Sequence, residues 1–211
     1  MTATITTANS RISANFTGNR LLVALTAAYG LFWIAMAIAP VDRFDWFLEN
    51  LLVVSTVVLL AATYRRFPFS NLTYILLAIF LVGHTIGAHY TYSQVPFGFW
   101  LKDALHLERN AFDRIIHFSF GLLLGYPFWE FIVRKAHTKK TWTLWVAGFA
   151  VLSLSSAFEM VEWAIAVMVD PDAAEAYLGS QGDPFDAQMD TLMAVIGGAI
   201  TLVITGLLSR R

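Results

Sequence analysis

Long apolar runs broken by short polar clusters dominate the chain. A hydrocarbon core about 30 Å thick takes roughly 20 apolar residues at 1.5 Å each, and six stretches qualify: 20–39, 46–64, 72–92, 113–133, 142–169 and 186–208. The pattern predicts an all-α, polytopic membrane protein, a six-transmembrane-helix bundle that residues 20–209 form as a single domain. Residues 1–19 are rich in Ser, Thr and Asn and have no apolar core, which predicts a flexible polar N-terminal tail, not a signal peptide. The run AIAP at 37–40 resembles a cleavage site, but the apolar stretch before it is long for a signal sequence and a proline follows the small residues directly.

Composition agrees: 57% hydrophobic and 15% aromatic residues exceed what a soluble globule carries. A net charge of -1 gives no reason to expect nucleic acid. The absence of cysteine removes disulfides and thiolate metal sites, so any metal would use nitrogen and oxygen ligands.

Basic residues set the orientation, because they accumulate in cytoplasmic loops. Ten of the 14 fall on one side of the predicted spans: Arg11, Arg20, Arg65, Arg66, Arg134, Lys135, Lys139, Lys140, Arg210 and Arg211. Arg43, Lys102, Arg109 and Arg114 fall on the other, so both termini are expected in the cytoplasm. The acids show the opposite bias, with Glu130 the exception. Asp170, Asp172 and Glu175, in a loop, read as ordinary solvated charges.

Several ionisable groups nevertheless fall inside the spans. His84 lies roughly 12 Å below the outer end of the third. Asp113 and His117 open the fourth on one face, since four residues advance about 400°. Glu159 and Glu162 lie about 60° apart and roughly 10–15 Å below the outer end of the fifth. Asp186 and Asp190 begin the sixth with i, i+4 spacing. An acid at a helix centre costs about 2.5–3.5 kcal/mol, so these groups are expected to face one another.

Asp113 and Asp186 also suit helix capping, whereas Asp190, His117 and the glutamate pair lie too deep for it. Surplus negative charge in a low dielectric is relieved by protonation or by a metal, and histidine with carboxylates suits zinc, manganese or iron. Both remain open. His84 and His89 lie about 140° apart and cannot face one point on a regular helix, so His84 is preferred for the site. His106 and His137 read as solvated loop residues.

Other features have plainer readings. Gly83/Gly87, Gly121/Gly125 and Gly197/Gly198 provide small faces for close helix approach or for an oligomer contact. Pro127 is expected to kink the fourth span. Tyr90, Tyr92, Trp46, Trp100 and Trp163 fit membrane interfaces. The stretches 92–103 and 177–186 read as turn-rich loops that roof the polar groups, as a lid or as a packed cap.

The motifs APVDR (39–43), ATYRRFP (62–68), HYTYSQVPFGFW (89–100), RNAFDRIIHF (109–118), FEMVEW (158–163) and YLGSQGDPFDAQMD (177–190) together resemble the YjdF family of bacterial inner-membrane proteins. That resemblance spans about residues 20–205 and implies topology and an inner-membrane location more than chemistry. A more distant likeness is to VanZ-like membrane proteins. Their pattern maps onto Asp113 and His117, then Glu159 or Glu162, then Asp186 and Asp190 with Gly197. Ala194 departs from it, because that pattern tends to carry an asparagine there.

These readings lead to one expectation and two alternatives. The expectation is a metal-dependent hydrolase or transferase acting on a membrane lipid or lipid-linked small molecule. His84, His117, Glu159, Asp186 and Asp190 would hold a divalent ion, and Glu159, Glu162, Asp113 and Arg114 would act on the substrate, a carboxylate as base and Arg114 on a phosphate. No Gly-x-Ser-x-Gly motif is present to indicate covalent catalysis. The alternatives are an ion- or proton-coupled transporter, disfavoured because Glu130 is alone in the inner halves of the spans, and a structural or partner-binding protein whose polar cluster locks helices together.

Overall fold

The structure, a computed structural model, describes residues 16–136 and 139–209. It is all-helical among the described residues: α1 (Arg20–Met36), α2 (Arg43–Thr63), α3 (Asn71–His89), α4 (Pro96–Leu105), α5 (Phe112–Lys135), α6 (Lys140–Ala166), α7 (Pro171–Leu178) and α8 (Asp186–Leu208). Five of them, α2, α3, α5, α6 and α8, are long and apolar enough to cross a membrane. Helix α1 is apolar but shorter, at 17 residues.

Local signals explain where the helices begin. Asp42 caps α2 by accepting from the Phe44 and Asp45 amides at 2.8 and 2.9 Å. Ser70 caps α3 through the Thr73 amide, and Asp170 caps α7 through the Ala173 amide. Pro96 and Pro171 start α4 and α7, where a missing N–H costs nothing. These two short helices lie in segments that read as loops in the sequence.

Residues 16–18 form a 3-10 turn, Phe16 meets the Tyr64 ring edge-on, and Asn19 caps α1 while donating to Asn71 Oδ1 at 2.9 Å. Residues 1–15 and His137 lie outside the described residues.

Helix α5 occupies the centre, packed on α3, α6 and α8, and it continues through Pro127. Its closest partner is α8. A Cβ at Gly121 would collide with the Ala194 carbonyl and the Gly198 amide, and one at Gly197 with the Phe118 carbonyl. Thr201 Oγ1 donates to the Leu122 carbonyl at 2.5 Å across the same contact. Gly87 makes room for the Tyr92 ring, and Gly83 for Ile116. These small-residue faces are filled by packing within one chain.

Glu130, the acid expected in the inner half of its span, is fully engaged. It accepts from the Ser70 amide and hydroxyl at 2.8 Å each, from Thr73 Oγ1 at 2.5 Å and from Arg134 Nη1 at 2.7 Å. Arg134 also sits over the Phe67 ring, 4.0 Å from its centroid. This cluster ties the start of α3 to the end of α5.

Candidate functional site

Three helices meet at the end of the bundle opposite Glu130. Helix α5 contributes Asp113 and His117, α6 contributes Glu159 and Glu162, and α8 contributes Asp186 and Asp190. Neither Asp113 nor Asp186 is a cap: the cap positions are Ala111 and Phe185, and neither makes a side-chain cap bond. Both acids sit in first turns and project into the bundle.

His117 Nε2 lies 3.2 Å from Glu159 Oε1 and 3.5 Å from Asp113 Oδ1. One ligand atom each from Asp113, His117 and Asp190 falls within 4.8 Å of the others. Asp190 is 1% exposed, and its Oδ1 and Glu159 Oε1 are buried without a hydrogen-bond partner. Glu162, one turn beyond Glu159, is within hydrogen-bonding reach of it.

A second polar group adjoins the first, and the sequence reading missed it. Asp45 and Glu49 on α2 are 3% and 2% exposed, and Asp45 Oδ2 and Glu49 Oε2 have no hydrogen-bond partner. Their i, i+4 spacing matches that of Asp113/His117 and Asp186/Asp190, which was the available signal. Asn50 beside them accepts from Trp33 Nε1 at 2.5 Å.

His84 belongs to this second group. Its Nε2 donates to the Glu49 carbonyl at 3.0 Å, and its Nδ1 pairs with the Tyr92 hydroxyl at 2.5 Å. A carbonyl only accepts, so Nε2 carries the proton and Nδ1 faces the phenol. Both ring nitrogens are taken by protein groups. His84 therefore stands outside the ligand set in which the sequence placed it. His89 binds the Met36 carbonyl through Nδ1 at 2.7 Å and joins α3 to α1, and His106 ends α4 in an exposed left-handed turn.

The loops close over these groups as a packed cap. Asn110 and Gln181 exchange two hydrogen bonds, Asn110 N to Gln181 Oε1 at 2.9 Å and Gln181 Nε2 to the Asn110 carbonyl at 3.0 Å. Arg109 binds Asp186 and the Gly179 carbonyl, and Arg114 binds Asp183. Asp186, expected among the metal ligands, is thus held by Arg109, with Arg114 3.8 Å away. Asp183 has its carboxyl held below the usual range by the Phe185 amide, then by Arg114 and Arg109. Tyr177 on α7 is buried beneath this cap, and burial, then nearby Glu49 and Glu162, push its phenol above its ordinary value.

Asp45, Glu49, Asp113, Glu159, Glu162, Asp186 and Asp190 all lie within electrostatic reach of at least one other member of the set. Arg109 and Arg114 are the nearby fixed cations, and both are committed to the rim. What remains inside is a nest of carboxylates around two imidazoles, His84 beside Glu49 and His117 beside Asp113 and Glu159.

A bundle of apolar helices wrapped around a buried cluster of acids and histidine defines a polytopic membrane protein. The chain belongs to the family described as "Predicted membrane protein (DUF2238)", whose match covers residues 21–211. It is 32% identical over 174 residues to the inner membrane protein YjdF of Escherichia coli (strain K12), across 82% of this chain and 83% of that relative. This bears out the YjdF resemblance and a multi-pass inner-membrane location. The more distant VanZ-like likeness gains no support from these matches. No solved structure matches the chain.

Proposed function

We propose that this protein is a metal-dependent membrane hydrolase or transferase acting on a lipid or lipid-linked head group at the outer leaflet. The observation that carries this reading is the convergence of His117, Asp113, Asp190 and Glu159, with two buried carboxylate oxygens left without partners. Two ligands about 2.1 Å from one tetrahedral ion lie about 3.4 Å apart. The 3.2 and 3.5 Å separations around His117 Nε2 match that spacing. One imidazole with several carboxylates suits zinc, manganese or iron.

The topology proposed with it has six crossings and both termini in the cytoplasm. Helix α1 has 17 residues, the lower end of the spanning range. Arg65, Arg66, Arg134 and Lys135 gather at the end of the bundle opposite the acids, which supports an outward-facing site.

In this reading His117, Asp113 and Asp190 hold the ion, and Glu159 stands beside it as a further ligand. When bound, such an ion supplies Lewis acidity and a water that ionises near neutral pH. Glu162 takes up a proton within reach of Glu159. Arg114 has a buried Nε without a partner, which suits it to orient a phosphate oxygen at the rim.

The structural alternative has one observation in its favour, since His117 bridges α5 and α6 through Glu159. Interhelical polar contacts average roughly 0.6 kcal/mol, however, which gives little reason to bury so many like charges. The transporter alternative loses its inner acid, because Glu130 is saturated by Ser70, Thr73 and Arg134.

Proteoliposomes offered a panel of lipid phosphomonoesters and phosphodiesters test the proposal. Chelator-sensitive head-group release, reduced about 100-fold or more by Glu162→Gln, is expected. Metal-loaded wild type that releases nothing across the panel would contradict it.

A further inference from the structure

One cavity of about 880 Å³ runs beneath the acid–imidazole site. At one end it is lined by His84, Tyr92, Asp113, His117 and Glu162, and at the other by Arg66 and Lys135. Asp113 lies in the first turn of α5 and Lys135 ends it, so the cavity follows that helix for about 22 residues, or about 33 Å at 1.5 Å per residue. That is the full thickness of a hydrocarbon core, about 30 Å.

Between the two ends the walls are almost wholly apolar. Seven of the lining side chains are phenylalanine, and Thr56, Thr63 and Ser155 are the uncharged polar exceptions. Such a wall solvates hydrocarbon and repels a charged head group, so a ligand's head stays at one end. At the acid–imidazole end Asp113 and His117 line the cavity, and an ion held by them as proposed above would receive an anionic head there.

Length decides between tails. The acyl chain of a bilayer phospholipid serves one leaflet, about half of the 30 Å core. A cavity of this length needs a chain about twice as long, and a volume of 880 Å³ drawn out over that length admits one chain abreast. Flat aromatic faces such as Phe80, Phe120 and Phe128 suit the planar double-bond units of an isoprenoid tail.

We infer that this cavity seats one polyisoprenoid-length tail, so that the ligand is a long-chain polyprenyl lipid with its head at the Asp113–His117–Glu162 end. The inference deepens the lipid-head-group reading and rests on it for the position of the head. Arg66 and Lys135 line the far end, where exposed charged side chains suit the opposite interface.

Native mass spectrometry on the full chain in detergent tests this with three phosphate-headed probes: farnesyl phosphate, a polyprenyl phosphate whose tail exceeds the cavity length, and dioleoyl phosphatidate. The long polyprenyl phosphate should bind about tenfold or more tightly than either of the others. Leu60→Trp, which fills the cavity far from the acids, should bring the long probe down to the farnesyl level and leave farnesyl phosphate unchanged. The wild-type series needs no variant, so a folding defect in Leu60→Trp cannot mask the result.

Dioleoyl phosphatidate binding as tightly as the long probe, or no dependence on chain length, would overturn the inference. Asp190→Asn separates the two readings. If it leaves all three affinities unchanged while the chain-length dependence persists, the head-group reading fails and the tail assignment stands.

Discussion

His117 Nε2 and Glu159 Oε1 face each other at 3.2 Å across α5 and α6, yet Glu159 Oε1 has no hydrogen-bond partner. The separation is that expected for two ligands of the proposed ion. Without the ion, Glu159 is one carboxylate among several crowded together. Glu159→Gln should therefore raise the melting temperature of metal-free protein while weakening divalent-metal affinity by about 10–100-fold. Thermal melts in chelator, beside metal titrations, measure both effects.

The cap depends on Arg109, which joins Asp186 at the start of α8 to the Gly179 carbonyl. Arg109→Ala leaves Asp186 beside Asp190 with only the more distant Arg114, 3.8 Å away, as counter-charge. A loss of about 2–4 kcal/mol is expected, discounted slightly because both side chains keep some exposure. Gln181→Ala, which removes both hydrogen bonds to Asn110, should cost about 1–2 kcal/mol. Hydrogen exchange over 179–186 should rise in both variants.

Glycine substitutions test the α5–α8 contact. Gly121→Val places a side chain where the Ala194 carbonyl and Gly198 amide already stand, so folded protein should be lost. Gly30→Ala meets nothing within 4 Å on α1 and should stabilise by up to about 1 kcal/mol. Monodisperse yield in detergent and melting temperature distinguish the two.

Acid should loosen the cap before the bundle. Asp183 is held below its ordinary range by the Phe185 amide and by Arg114, so its contribution is present above the unfolded value, near pH 4, and lost as pH falls through the folded one. Proteolysis between Gly179 and Asp186 should rise below about pH 4 in wild type. In Asp183→Asn it should be raised already at neutral pH.

Much of the bundle and part of the site were legible in the sequence. Asp113/His117, Glu159/Glu162 and Asp190 stood out because helical spacing put them on common faces at hydrocarbon depth, where a lone acid is costly. Asp45 and Glu49 were missed because they open an apolar stretch, where acids read as solvated. The Tyr92–His84 contact depends on the turn after α3, and Arg109–Asp186 joins residues far apart in the chain. Periodicity encodes neither. Helices α4 and α7 were hidden by their Pro, Gly and Asp content, although Pro96 and Pro171 at first-turn positions were the clue.

Metal content of the purified protein tests the central claim most directly. Elemental analysis of folded wild type should find one zinc, manganese or iron per chain, lost in Asp190→Ala and in His117→Ala and retained in Glu130→Gln. Folded wild type that carries no transition metal, and binds none when zinc, manganese or iron is supplied, would contradict it.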